Sequence, residues 1–453
     1  MVAEIFQRFG QESPIAVMVR ATLENAFAAP ALDELFMQSV EEPYTRTLLF
    51  STVVELMTTV VLGQEKSLHA AFQQRREQLG VGISSLDEKL GRMEPGVSEA
   101  LVRHSVARVE PVRQELAATR EELLPGYEVR LLDGHQLEGT EHRLKPLRRT
   151  RAGALPGQSL GALDPQRKLL RHGRCCEDGP TQERALMEEA LAWVEPGQGW
   201  VADRNFATTR WVVGVVAREG PVVVRAPAST LPWVAEGAGQ AAGRCESGSL
   251  TEQALQIADE HGTGLRLRRI TLRLAQPTRA GDRVSVGLTT RPPEVSAAAV
   301  AEWYRKRGRI EGALQDLTVI LQCEPNTLGY PPAALFAFCL AVTAYNVLRV
   351  TRAALGAAHG AEKIEREVSS YYLAREWAKV FTGMAIALPA EEWTEYGRMT
   401  PAEWAARLRP WAQHAPLWRY QKHPRGPQKP RPRRVSGAKI SHVATARLLA
   451  NRK

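Results

Sequence analysis

Tyr304, Arg307 and Glu311 lie at i, i+3 and i+7 of the segment AEWYRKRGRIE. On a helix that spacing places a phenol, a guanidinium and a carboxylate on one face. A carboxylate that holds a metal ion beside a phosphate needs neighbours that bind phosphate oxygens without displacing the metal, and tyrosine and arginine meet that need. Taken alone, the segment would equally serve as a solvated basic helix. Asp133 and Asp203 alter that balance, since each ends an expected strand, where the rim of a sheet holds a side chain rigidly. Two-metal phosphoryl transfer requires about three carboxylates around ions roughly 3.5 to 4 Å apart. Asp133-Gly134 alone fits a turn and Asp203 alone fits a helix cap; with the Tyr304 face they form a candidate metal and phosphate site.

The elements that must position these residues can be read from periodicity. Residues up to about 112 alternate apolar and polar at helical period, with Ser85 and Glu88 spaced as a capping box. Residues 68–79, a glycine turn and a short helix from Ser84 resemble a helix-turn-helix that would offer Lys89 and Arg92 to a DNA groove. From Tyr127 the pattern changes to strands at 127–132, 142–147, 158–163 and 167–170, then an amphipathic helix at 181–193 and a short strand at 199–202 ending at Asp203. A helix at 208–218 and a strand at 221–225 follow. The expected class is α/β, a mixed sheet covered by helices. Residues 229–288 read as an inserted β subdomain whose Gly237 to Gly243 stretch is a flexible loop. Helices resume at Ser296.

The chain has 453 residues, 59 Lys or Arg and 50 Asp or Glu, a formal charge of +9. Eleven of the cations and none of the acids lie from Arg419 onward, so the preceding body carries 48 basic against 50 acidic residues, net −2. A near-neutral body with a cationic end suits a polyanion, nucleic acid being the commonest. The proline-spaced cations of the tail, Arg431, Arg433 and Arg434 among them, read as a disordered arm whose removal would leave the body stable; a docked helix at 441–449 would overturn that view. The five cysteines contain no C-x-x-C pair, which argues against a disulfide framework or zinc ribbon and for a reducing cytoplasm. The apolar runs 48–63 and 332–350 are broken by polar residues and are expected to be buried core helices, with no membrane association.

Between residues 84 and 355 the chain resembles the insertion-sequence-four type of DDE transposase. Leu131-Leu132-Asp133-Gly134-His135 and Leu155-Pro156-Gly157 are similar to the context of that family's first acid, Asp203-Arg204-Asn205-Phe206 to that of the second, and Tyr304, Arg307 and Glu311 to its Y-x-x-R-x-x-x-E motif after Leu288-Thr289-Thr290. The lysine that closes the motif would fall at Thr318, and the tryptophan after the arginine is Gly308. The resemblance implies a ribonuclease-H-like catalytic core, with Asp133, Asp203 and Glu311 holding two Mg²⁺ or Mn²⁺ ions and Tyr304, Arg307 and Arg204 on DNA. It further implies double-stranded DNA as partner (transposon terminal inverted repeats and target), a homodimer on that DNA, and a cytoplasmic, nucleoid-associated location. The expected organisation is a helical DNA-end-binding region at 1–115, core at 116–228, inserted β subdomain at 229–288, core with the glutamate helix at 289–360, a helical region at 361–420 and the basic tail at 421–453.

Two other readings remain at this stage: a decayed, transposase-derived DNA-binding protein, favoured by Thr318, and a metal-dependent nuclease. Other patterns fail. The Gly237 to Gly243 run lacks dinucleotide spacing, His172 with Cys175 and Cys176 lacks a second ligand pair, and the tryptophans after Trp377 are spaced for packing rather than base stacking.

Overall fold

Among the described residues, seven helices fill the N-terminal part, from Val2–Glu12 through Pro95–Glu115, because their apolar stripes can all be buried against one another. The computed structural model describes residues 2–42, 48–117, 123, 126–141, 144–150, 153–226, 231–258, 262, 264–277, 281, 283–291, 294–423 and 442–450. The central helix Pro331–His359 opens with two prolines in its first turn and passes through the same core, with Phe336, Ala337, Cys339, Val347 and Leu355 buried. It is long and apolar enough to cross a membrane, exceeding the run read from sequence, yet 94% of its most apolar window is buried within the chain. Trp377, Trp393 and Trp404 are buried, which agrees with packing.

The strands are β1 (Glu128–Gln136), β2 (Gly153–Leu155), β3 (Gln158–Asp164), β4 (Leu169–Cys176), β5 (Gln198–Ala202), β6 (Val222–Arg225), β7 (Val234–Cys245), β8 (Gly248–Ala258), β9 (Gly264–Leu274), β10 (Val284–Thr289) and β11 (His442–Ala444). Nine form one mixed sheet in the order β4-β3-β1-β5-β6-β10-β9-β8-β7. β1 pairs antiparallel with β3 and parallel with β5, and β6 is parallel to β5. Alternation then sorts the side chains: Leu131, Leu163, Val201 and Val223 face the long helices, while Leu132, Leu160, Trp200, Ala202 and Val224 pack against the helix Thr209–Val216 on the other face.

Several expectations are corrected. β1 runs through Asp133 and Gly134 to Gln136 instead of ending in a turn, because β3 continues the ladder as far as Gln136 opposite Gln158. No strand forms at 144–150, where a turn of 3₁₀ helix (Leu147–Arg149) occurs; His142 lies outside the described residues. The amphipathic stretch after Thr181 is a chain of short turns, Glu183–Leu186, Met187–Ala190 and Leu191–Trp193. The glycine-rich run is strand β7, whose pairing with β8 shifts register around Gly237 and Gly243, both at positive φ. The strands read as an inserted subdomain extend the main sheet, since β10 pairs with β6 on one side and β9 on the other.

The tail is not wholly free. Tyr420 is buried with its hydroxyl on Glu376, Lys422 donates its backbone N–H to the Glu367 carbonyl at 2.7 Å, and Arg419 bonds the Glu12 carbonyl at 3.0 Å. Further on, β11 pairs in parallel with β2, and Arg447 holds Asp178 at 2.9 Å. Removing everything from Arg419 therefore takes away part of the fold. Arg431, Arg433 and Arg434 lie outside the described residues.

A buried ion network fastens the end of β3. Asp164 is fully buried and accepts from Arg130 at 3.2 Å, Arg167 at 2.9 Å and the backbone N–H groups of Gln166 and Arg167. Glu128 bonds Arg130 and Arg167, both at 2.7 Å. Burial alone would raise the Glu128 pKa, but these guanidiniums outweigh it and hold the carboxyl at about 2. A carboxyl depressed in the folded state stabilises fully above its ordinary value of 4.5 and loses that contribution as pH falls toward 2. Acid titration followed by circular dichroism should therefore show Glu128→Gln losing less stability than the unaltered chain between about pH 4.5 and 2.

Candidate functional site

β1 and β5 lie side by side with Leu132 opposite Ala202, so Asp133 and Asp203 follow at one level on strands about 4.8 Å apart. Both share the parity of Leu131 and Val201, the face on which the helix Gly308–Ile320 packs through Ile310, Ala313 and Leu317. Asp203 is extended (φ −76°, ψ 173°) and is followed by the 3₁₀ turn Arg204–Phe206.

The expected single helix is broken. Ala297–Lys306 ends and Gly308–Ile320 begins at Arg307, where the Arg307 N–H bonds the Tyr304 carbonyl and the Ile310 N–H bonds the Arg307 carbonyl, both at 3.0 Å. These tighter i to i+3 bonds turn the chain at Arg307. Its guanidinium then reaches the sheet: Nη1 donates to Asp133 Oδ2 at 3.2 Å and Nη2 to Glu311 Oε1. The Tyr304 hydroxyl makes a long contact of 3.5 Å to Asp203 Oδ1. One arginine and one tyrosine thus gather all three acids at one rim.

Burial, reinforced by Glu183 and Glu311 and opposed by Arg307, pushes the Asp133 carboxyl up to about 6. Burial likewise raises the Tyr304 phenol, with Asp203 adding to it, so at neutral pH this hydroxyl is a donor. A cleft of about 370 Å³ opens on the Glu311 side of the rim, lined by Arg225, Tyr304, Arg305, Arg307 and Glu311 among others; Asp133 and Asp203 do not line it.

Two residues escaped the sequence reading. Glu183 bonds Asn205 at 3.4 Å and bears on Asp133 as a fourth carboxylate; a side chain at position 134 would overlap it, so Gly134 gives it room. Arg225 ends β6 and faces the Tyr304 phenol. Their periodic patterns, an expected helix and an expected strand, mark neither as a site residue, and the local hint of Glu183 is the glycine opposite.

Other candidates are dispersed. Lys89 is corrected: it is buried, donates to the Leu48 carbonyl at 2.7 Å and lies 4.7 Å from the Phe36 ring, because it shares a face with Leu86 and Leu90. Its helix, Ile83–Gly91, is capped by Gly82, so the Ser85 and Glu88 capping box is absent. Arg92 is exposed and pairs with Glu88 at 2.8 Å. Arg204 is exposed beside Asp203, and Thr318 is exposed with its hydroxyl on the Gln315 carbonyl at 3.0 Å. His172 stacks on Trp193 at 5.0 Å, and burial with neighbouring Arg171 pushes its pKa down to about 3.

The donor set of the rim is oxygen only, which suits Mg²⁺ or Mn²⁺, and a divalent cation would offset both the burial that raises Asp133 and the smaller repulsion from Glu183 and Glu311. As arranged, the Arg307 guanidinium lies between Asp133 and Glu311. No family model matches the sequence, and no curated protein matches it. Among solved structures, the chain is similar to that of a piggyBac transposase synaptic complex with hairpin DNA, with TM-score 0.41 and 10% identity over 86% of each chain.

Proposed function

We propose that this chain is a DDE-type DNA transposase with a ribonuclease-H-like core, cutting phosphodiester bonds at transposon ends and joining the freed 3′-hydroxyl to target DNA. One observation carries it: Asp133, within β1, and Asp203, just after β5, lie abreast on adjacent parallel strands, and Arg307 brings Glu311 to the same rim. The order β4-β3-β1-β5-β6, antiparallel through β1 and parallel beyond, supports the core assignment. The proposed parts are the helical region 1–115 for DNA ends, the core on both sides of the 229–288 extension, and the cations of 421–453 for non-specific contact. The proposed setting is a homodimer on double-stranded DNA in the cytoplasm.

Asp133, Asp203 and Glu311 would hold the Mg²⁺ or Mn²⁺ ions, which when bound supply an activated nucleophile and charge stabilisation for the leaving oxygen. Arg307, released from the acids, binds a phosphate oxygen through its planar fork, and Tyr304 donates a hydrogen bond beside it. Arg225 and Arg305 add positive charge to the cleft that receives the backbone. The deciding experiment incubates the chain with linear DNA carrying the terminal repeats that flank its coding region, with Mg²⁺ or Mn²⁺, and maps the cut ends. Cuts at the repeat boundary that leave 3′-hydroxyls support the reading; metal-dependent cuts scattered without regard to the repeats would favour a nuclease.

Binding without cutting would favour the decayed copy, a reading to which Thr318 lends support because its side chain bonds its own helix and supplies no cation. Thr318→Lys adds one exposed cation seven residues beyond Glu311. The slope of log K against log salt for duplex DNA should steepen by about one unit. An unchanged slope, measured by fluorescence anisotropy over a salt series, would show that position 318 faces away from DNA.

A further inference from the structure

A second group of side chains of metal-ligating type adjoins the acidic rim, with His135 two residues beyond Asp133 on the same face of β1. The donor atoms of His135, Cys323 and Glu324 all lie within 4.8 Å of one another. His135 Nε2 is 2.7 Å from Glu324 Oε1, and Cys323 Sγ is 3.8 Å from the same oxygen. The residues come from separate elements: His135 from β1, Cys323 and Glu324 from the connection between the helix Gly308–Ile320 and the central helix. All three are largely shielded, Cys323 being buried and the His135 and Glu324 side chains only 17% and 11% exposed.

The group is also braced from outside. The His135 ring stacks on Phe338 at 5.0 Å with an interplanar angle of 12°, which fixes the direction of Nε2. Glu324 Oε2 accepts the backbone N–H of Glu138, leaving Oε1 turned toward the histidine and the thiol. Such supports orient ligands in metal centres. Burial, with Glu324 and Glu138 nearby, pushes the Cys323 thiol well above its ordinary range.

We propose that His135, Cys323 and Glu324 form a Zn²⁺ site that ties the strand carrying Asp133 to the chain leaving the Glu311 helix. An imidazole, a thiolate and a carboxylate together suit a borderline cation and not Mg²⁺. With metal bonds of about 2.0 Å to N and O and about 2.3 Å to S, tetrahedral ligands lie roughly 3.3 to 3.6 Å apart, so the N···O contact opens slightly and the S···O contact closes slightly. Water or the nearby Glu138 carboxylate completes the shell. Binding breaks the Cys323 S–H bond, forms the Zn–S bond and releases the proton to solvent, so affinity rises with pH. This site stands whether or not the acidic rim acts on DNA.

The test uses the full chain without a histidine tag, kept reduced and stripped with a chelator. Zn²⁺ is titrated in competition with a chromophoric chelator, and Co²⁺ is substituted to read thiolate coordination by its charge-transfer absorption. The expected result is one tight Zn²⁺ per chain, undisplaced by excess Mg²⁺, a cobalt–thiolate band, and a metal-dependent rise in Tm. Cys323→Ser should abolish the band and weaken Zn²⁺ by at least about 100-fold, and Glu324→Gln should weaken it while sparing the band. Asp203→Asn should leave both unchanged. No tight Zn²⁺ binding, a band that survives Cys323→Ser, or loss of Zn²⁺ in Asp203→Asn would each overturn the proposal and leave His135 and Glu324 as an ion pair only. Circular dichroism of the metal-free variants separates lost ligation from lost folding.

Discussion

Asp133→Ala, Asp203→Ala and Glu311→Ala should each lower metal-dependent strand cleavage by at least about 10³-fold while leaving affinity for end DNA within a few-fold. The geometry makes the three losses comparable, because no one acid can be replaced by its neighbours: Asp133 and Asp203 stand on different strands and Glu311 reaches the rim through Arg307. Stability should respond differently. Asp133 carries an unfavourable charge above about pH 6, so Asp133→Asn should keep or raise the unfolding free energy at neutral pH, a cost that in the unaltered chain fades as pH falls below 6 toward 3.8. Single-turnover cleavage paired with urea denaturation of the same variants is the measurement. Cleavage retained in any one of the three would remove that residue from the site, and a parallel loss of DNA binding and stability would assign it a folding role instead.

Asp164→Ala should be among the most destabilising single changes in the chain, at about 3 to 5 kcal/mol. The side chain is fully buried, and without it Arg130, itself buried, keeps its charge with only the partly exposed Glu128 for company. The backbone N–H groups of Gln166 and Arg167 lose their acceptor as well. Asp164→Asn retains an acceptor for the turn but not the charge, so it should fall between the two. Equilibrium denaturation in guanidinium chloride reads the difference as a shift in midpoint; a change below about 1 kcal/mol would mean that water reaches Arg130 and the network is not sealed.

The convergence of the three acids was legible in sequence because each sits where local rules are strong. Asp203 directly follows the uniformly buried strand β5, and Tyr304, Arg307 and Glu311 obey helical spacing closely enough that the break at Arg307 leaves them converging. The break itself was hidden, since it is expressed in two i to i+3 hydrogen bonds and in the pull of Asp133 on the guanidinium, a contact across 174 positions. Glu183 and Arg225 reach the site through short turns and through the sheet, a convergence that their periodic patterns do not mark. Lys89 was different: with Leu86 three positions before it and Leu90 next to it, its place on the buried stripe could have been read, and the basic charge drew the reading toward solvent. The glycines of β7 favour a loop by propensity alone, and only the partner strand β8 makes them a strand. Both ends of the tail show the same dependence, because a short strand such as β11 acquires its conformation from β2, far back in the chain.

The continuity of the sheet through β10 has a mechanical meaning. With β6 on one edge of β10 and β9 on the other, the outer strands connect to the acid-bearing pair through successive hydrogen-bonded strands, the register shifts lying at the outermost pair, β7 and β8. Twist imposed on the far strands is passed along that row rather than absorbed at a hinge. Arg225 occupies the last position of β6, opposite Gly287, and is the first site residue such a distortion would meet. The outer strands are thus a lever on the cleft, and their opening belongs to the same cooperative unit as the strands that carry Asp133 and Asp203.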